Sequence, residues 1–227
     1  MKLAALFSGG KDSTLALYRV MKEGHQIKYL ITIFSERQDS WMFHYPCIEL
    51  TKLQSKSLGI KQIIKKTKGE KEKELKDLKD VLISVKDEID GVVTGALYSD
   101  YQKTRIEKMC KELGLKCLSP LWHSDLEKML KEEIDLGFEI IITGVAAEGL
   151  DKNWLGKKID LNTIEDLKRL NKKFGINIGF EGGEFESLVT DCPIFKKRIK
   201  ISDSETVWDS RTNSGYMKVK KAVLSKK

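Results

Sequence analysis

The chain has 227 residues, 41% hydrophobic and 33% charged, with a formal net charge of +7. These are the proportions of a globular protein long enough for one large domain or two small ones. No apolar run approaches the roughly 20 residues of a membrane span, and MKLAALF is too short an apolar segment for a signal peptide, so a cytoplasmic protein is expected.

In chain order, Lys2–Phe7 reads as a strand. Asp12–Lys22 follows with helical spacing at Leu15, Leu17, Tyr18 and Met21, and Gly24 stands where a helix C-cap belongs. Ile27–Phe34 is a second strand. Pro46 opens a helix that Gly59 closes, Ile60–Ile64 is strand-like, and Lys71–Glu88 carries Leu75, Leu78, Leu82 and Val85 on one helical face. Val92–Gly95 ends a fourth strand, Ser99 and Gln102 form a capping box for a helix that stops near Gly114, and Leu115–Leu118 is a fifth strand. Five strands alternating with helices predict an α/β, Rossmann-like parallel sheet covered on both faces. Such sheets bind ligands beyond the carboxyl ends of their strands, where SGGKDS, FSERQDS and GALYSDYQ lie.

The pattern changes after Pro120. Ser124 and Glu127 cap a helix that Gly137 closes, Phe138–Val145 is a buried-type strand, and the loop AAEGLDKNWLG leads to a helix from about Asn162 to Phe174. FESLVTD, KRIKI, TVWD and YMKVKKAVL are short β-type runs. The expected division is therefore residues 1–120 for the sheet domain and 121–227 for a second, smaller α+β domain.

Cys47, Cys110, Cys117 and Cys192 form no C-x-x-C pair and are accompanied by only three histidines. That argues against a zinc site and for reduced thiols. Lys196–Lys227 holds ten Lys/Arg against Asp203, Glu205 and Asp209, so this segment accounts for the whole net charge. Such a face suits RNA or an acidic protein, and is equally a plain solvated lysine surface.

SGGKDS, Ser8 to Ser13, joins the first strand to the first helix. Backbone N–H groups at a helix start favour an anion, glycines allow a tight turn and close approach, the two serines donate hydroxyl hydrogen bonds, and Lys11 adds a positive charge. Asp12 would repel phosphate unless a Mg²⁺ ion bridged the two. The segment matches neither G-x-x-x-x-G-K-[ST] nor G-x-G-x-x-G. A second polar cluster, Glu181-Gly182-Gly183-Glu184-Phe185-Glu186, sets three carboxylates in six residues. It reads as a solvated acidic turn or as a site for a cation.

SGGKDS resembles the PP-loop of the ATP-pyrophosphatase superfamily. GALYSDYQKTR, SPLW, GLDKNWLG and above all EGGEFESLVTDCPIF resemble the diphthine–ammonia ligase family of N-type ATP pyrophosphatases, and these motifs run from Ser8 to about Phe195. The resemblance implies an adenine nucleotide alpha hydrolase-like fold and an AMP-forming ligase that uses ATP and Mg²⁺. Its substrates would be ammonium and elongation factor 2 carrying diphthine, whose carboxylate becomes an amide with release of AMP and pyrophosphate. It places ATP on Ser8, Gly9, Gly10, Lys11, Asp12 and Ser13, with Phe34 and His44 near the nucleotide and Asp12 toward the metal. Catalytic roles fall to Lys11, Asp12, Glu181, Glu184 and Glu186.

Quaternary ammonium groups favour aromatic faces, so Tyr101 and Trp154, together with Arg105 and Asp191, are the expected substrate-binding residues, with Tyr98 and Trp122 as further aromatic candidates. A nucleic-acid substrate is not expected, because sulfur-transferring tRNA modifiers of the superfamily generally need paired cysteines and no RNA-binding module is visible. The rival readings are such a tRNA modifier and a non-catalytic nucleotide sensor. The sequence leaves open whether the protein works as a homodimer.

Overall fold

The structure, a computed structural model, describes residues 1–35, 47–68, 71–179 and 183–227, with Ser35, Lys71 and Glu72 described by backbone alone. The chain divides into two compact units, one of residues 1–8 and 12–123, the other of residues 9–11 and 124–227.

In the first unit the strands are β1 (Lys2–Leu6), β2 (Gln26–Ser35), β3 (Lys61–Thr67), β4 (Gly91–Val93) and β5 (Lys116–Leu118). They form one sheet in the order β3-β2-β1-β4-β5, every neighbouring pair parallel. The connecting helices are α1 (Lys11–Lys22), α2 (Thr51–Leu58), α3 (Lys71–Val85) and α4 (Asp100–Glu112). This is the α/β sheet the sequence leads one to expect, with each strand within a few residues of its predicted place. The expected helix start at Pro46 lies outside the described residues; a short 3-10 turn, Ile48–Leu50, leads into α2.

Strand periodicity explains why both faces are covered. Tyr29, Ile31 and Ile33 of β2 alternate onto one face, where they join Leu78, Val81, Leu82 and Val85 of α3 and Ile106, Met109 and Cys110 of α4 in one buried cluster. Each fully buried leucine contributes about 1.5–3 kcal/mol. The intervening Leu30 and Thr32 are also buried. The Thr32 hydroxyl donates to the Phe7 carbonyl at 2.7 Å, and Gln62 Nε2 donates to both Thr32 and Thr51 at 2.8 Å. These bonds tie the exits of β1 and β2 to α2.

Strand order places the ligand end. The chain steps from β1 outward to β2 and β3, then returns to the other side of β1 for β4 and β5. Strand β1 is thus the switch point of the sheet, where ligands bind beyond the carboxyl end, and it runs straight into SGGKDS. Gly95, just past β4, lies so close to α1 that a Cβ there would stand 2.8 Å from the backbone of both Asp12 and Ser13. The glycine of GALYSDYQ is needed for that approach.

The second unit contains α5 (Leu126–Asp135), β6 (Glu139–Val145), α6 (Leu161–Phe174), β7 (Phe185–Asp191), β8 (Arg198–Asp209) and β9 (Ser214–Ser225). Its antiparallel sheet runs β7-β6-β9-β8. Met129 and Leu130 of α5, Ile140 and Ile142 of β6, Ile164 and Leu167 of α6, and Leu188 and Val189 of β7 are all buried. Helix α5 is capped by Asp125, whose carboxylate accepts from the Lys128 N–H at 3.0 Å, rather than by the preceding Ser124. KRIKI and TVWD, which read as separate runs, are two ends of the single 12-residue strand β8. Residues 202–204 between them are polar and exposed, so apolar alternation does not reveal the strand; pairing with β9 maintains it.

Gly95→Ala should push the first turn of α1 outward and destabilise the protein by about 1–3 kcal/mol, read as a lower Tm. An unchanged Tm would show that this backbone can yield. Asp160 caps α6, accepting from the Thr163 N–H at 2.8 Å and the Thr163 hydroxyl at 2.9 Å, and these bonds hold its carboxyl below the usual aspartate range. A depressed carboxyl adds stability above the unfolded pKa of about 3.9 and loses it as pH falls through the folded value. Asp160→Ala should cost about 1 kcal/mol at neutral pH, with the gap to the parent closing on acidification. Asp160→Asn should keep the cap and lose the pH dependence. Urea unfolding at two pH values checks both.

Candidate active site

The strand–loop–helix SGGKDS is the starting point. Gly9 has φ 80°, a left-handed conformation that glycine takes without strain, and lets the chain turn from β1 into α1. Ser8 Oγ and Ser13 Oγ are 3.1 Å apart in hydrogen-bond contact. Asp12 lies in the first turn of α1, where the helix dipole favours a carboxylate. The Lys11 side chain is fully buried.

Residues 9–11 of the loop belong to the second unit and are held there by β7. The Val189 N–H of β7 donates to the Gly9 carbonyl at 3.0 Å, and the Lys11 N–H donates to Ser187 Oγ at 3.2 Å. Residues 9 to 11 run in the opposite direction to 189 to 187, along the edge of β7 that does not pair with β6. The phosphate-type loop and the strand emerging from the acidic turn are therefore joined directly.

Glu184 is engaged where the chain enters β7. Its carboxylate accepts from the Asn177 N–H at 2.9 Å and its carbonyl from the Ala146 N–H at 2.8 Å. Asn177 Oδ1 in turn accepts from the Gly179 N–H at 2.8 Å. Glu186 is half-buried on β7, opposite Gly144 of β6. Glu181, His44 and all but the start of FSERQDS lie outside the described residues. Phe34 is near the end of β2, with Lys52 Nζ 5.9 Å from its ring centroid.

The expected substrate residues are placed as follows. Tyr101 and Arg105 stand one turn apart on α4, the guanidinium 3.5 Å from the ring centroid and donating to the Tyr101 carbonyl. Trp154 meets the ring of Phe185 edge-on at 5.9 Å, beside Glu184 and Glu186 in sequence, and carries Lys157 Nζ at 4.4 Å. Trp122 carries Lys103 Nζ at 4.6 Å and stacks on His123, which also stacks on Tyr98. On each of Tyr101, Trp122 and Trp154, a cation of the protein itself occupies a ring face.

Asp191 is at the opposite end of β7 from the acidic turn, roughly 20 Å away at strand spacing. Its carboxylate is paired with Lys227 at 2.8 Å and lies 3.9 Å from Arg198.

All four cysteines are free, and burial pushes the Cys192 thiol up to about 12, so it is protonated at neutral pH. Among the described residues no group of three or more His, Cys, Asp or Glu side chains is arranged to hold a metal ion, and no helix is long and apolar enough to cross a membrane. Ser187, on the strand that meets residues 9–11, is a residue that sequence reasoning did not single out. Ser187 lies inside the quoted acidic motif, but which partner its hydroxyl meets is a long-range matter.

Comparison with known proteins bears on the same two motifs. Residues 1–117 match the family model described as the diphthamide synthase N-terminal domain, and residues 125–225 that of the diphthamide synthase C-terminal domain. A diphthine–ammonia ligase of Rattus norvegicus is 38% identical over 230 residues, covering 91% of this chain and 85% of the relative. One of Schizosaccharomyces pombe is 36% identical over 244 residues; there this chain is wholly covered but spans only 40% of the relative's length. A solved structure described as a predicted subunit of a tRNA methyltransferase from Methanocaldococcus jannaschii shares 19% identity at a TM-score of 0.45, covering 85% of this chain and 98% of that one. The chain belongs to the diphthamide synthase family.

Glu184→Ala should leave the Asn177 N–H without its acceptor and lower stability by about 1 kcal/mol. Glu184→Gln retains an acceptor oxygen and should recover most of it. Amide hydrogen exchange at Asn177, fast in the alanine variant and slow in the glutamine variant, checks the assignment; equal protection in both would refute it.

Proposed function

We propose that this chain is an ATP-dependent ligase that amidates the carboxylate of diphthine on elongation factor 2, forming diphthamide and releasing AMP and pyrophosphate. The observation that supports this most is the hydrogen bonding of Gly9 and Lys11 in SGGKDS to Val189 and Ser187 on the strand that follows the acidic turn. An AMP-forming ligase must hold a leaving pyrophosphate next to an activated acid and an incoming amine, and here the two motifs suited to those tasks are joined.

The chemistry divides into two displacements. A carboxylate oxygen attacks the α-phosphorus of ATP and the α–β bridging oxygen leaves with pyrophosphate, giving an acyl-adenylate. Ammonia then attacks the acyl carbon, AMP leaves with the bridging oxygen, and the nitrogen gives up a proton. The N-terminal turn of α1, with Ser8, Gly9, Gly10, Lys11 and Ser13, stabilises charge as it moves onto the leaving group.

Magnesium enters as Mg–ATP. Asp12, a half-buried carboxylate in the first turn of α1 next to the Ser13 hydroxyl, offers the oxygen ligands that this ion takes. Glu184, which also accepts from the Asn177 N–H, and Glu186 are the described carboxylates proposed to take the proton from ammonium. Glu181 remains in the catalytic set on resemblance. Trp154, against Phe185 at the start of β7, and Tyr101 with Arg105 are the proposed contacts for the modified histidine. Asp191, paired with Lys227, serves that end of β7 rather than the substrate. We place the protein in the cytoplasm, with ammonia drawn from solution.

The test supplies ATP, Mg²⁺, ammonium and elongation factor 2 carrying diphthine, and follows AMP release and the mass of the factor. The expected result is stoichiometric AMP and conversion of acid to amide. Lys11→Met should lower AMP formation by about 10²–10³-fold. ATP consumption with no amide on the factor would overturn the substrate assignment, and absence of AMP with every acceptor would overturn the ligase reading.

A further inference from the structure

The N–H groups of a first helical turn have no partner inside the helix and are what an anion normally meets. In α1 one of them, that of Lys11, the first helical residue, is used differently: it donates to Ser187 Oγ at 3.2 Å. A serine hydroxyl has one proton to give and two lone pairs to receive. The contact with Lys11 uses a lone pair, and among the described residues the Ser187 proton is given to no group. Ser187 is half-buried, while its neighbours Leu188 and Val189 are buried. Two residues on, the Val189 N–H holds the Gly9 carbonyl at 3.0 Å. The strand that carries the hydroxyl is therefore fixed against the loop at two points.

We propose that Ser187 is a phosphate-binding residue: it accepts from the Lys11 N–H and donates its own proton to an oxygen of the pyrophosphate portion of ATP. The strand after the acidic turn thereby supplies a donor to the anion site, in place of the backbone N–H that it occupies. The Lys11 N–H polarises the hydroxyl, so its proton is a better donor than that of an isolated serine. This rests on the reading of SGGKDS as an ATP site and adds to it a residue on β7.

The probes are inorganic pyrophosphate and AMP, each titrated separately with Mg²⁺ present into the full chain. A hydrogen bond to a charged group predicts that Ser187→Ala weakens pyrophosphate about 10–100-fold, while AMP stays within about twofold. Ser187→Thr, which keeps the hydroxyl and suits a strand, should restore pyrophosphate affinity. Ser187→Cys, similar in shape with a weak donor, serves if the alanine variant does not fold, and should resemble it. Unchanged pyrophosphate affinity in the alanine and cysteine variants would overturn the proposal. Equal loss of pyrophosphate and AMP without rescue by threonine would assign Ser187 a structural role only. A parent protein that binds neither ATP nor pyrophosphate would overturn the nucleotide site itself, an outcome distinct from the other two.

Discussion

Two hydrogen bonds along the free edge of β7 govern the geometry of the site: Val189 N–H to the Gly9 carbonyl and Lys11 N–H to the Ser187 hydroxyl. Exposed strand edges are normally a hazard because their backbone groups seek partners. Here the edge is covered by a loop that itself needs fixing, so one contact resolves both demands. A glycine at position 9 makes this possible, since its left-handed φ turns the carbonyl toward β7 without steric cost. Within the first unit, only a residue without Cβ at position 95 lets the chain after β4 lie against Asp12 and Ser13.

Charge is distributed less simply than its sum suggests. Several basic residues of the last 32 are ion-paired, Lys218 and Lys220 with Glu205, Arg211 with Asp209, and Lys227 with Asp191, but of these acids only Asp191 lies outside the segment, so its basic excess stays largely unmatched. The Glu205 carboxyl is held below its usual range and the Lys220 amine above its own by their contact. The aromatic residues show the same economy. Tyr101, Trp122 and Trp154 each carry an internal cation, Arg105, Lys103 and Lys157 respectively. A cationic substrate group approaching these rings meets either the opposite face or a competitor already in place.

The parallel sheet was legible because its information is local. Period-2 runs such as Tyr29, Ile31 and Ile33, the 3.6-period leucines of α3, and Ser99 accepting from the Gln102 N–H all follow from neighbouring residues. The acidic motif and SGGKDS were legible too, as composition at the ends of elements. Three things were not. Asp125 and Ser124 are both good caps, and only the observed geometry chooses between them. Strand β8 is continuous through polar residues because β9 pairs with it, which no period within β8 records. The fixing of Lys11 by Ser187 joins residues 176 positions apart, and the alternation of FESLVTD shows which residues share a face but not what lies along the edge.

That separation also has a temporal side. During synthesis the Gly9–Lys11 loop is among the first residues made, while β7 follows only after about four-fifths of the chain. Contacts between distant residues must pay the entropy of closing the intervening loop, and they tend to form late. The sheet of the first unit, by contrast, is complete in sequence by Leu118. A nascent chain can therefore have that sheet assembled while its loop still lacks the strand that fixes it, so competence to bind nucleotide marks a finished molecule rather than a folded first half.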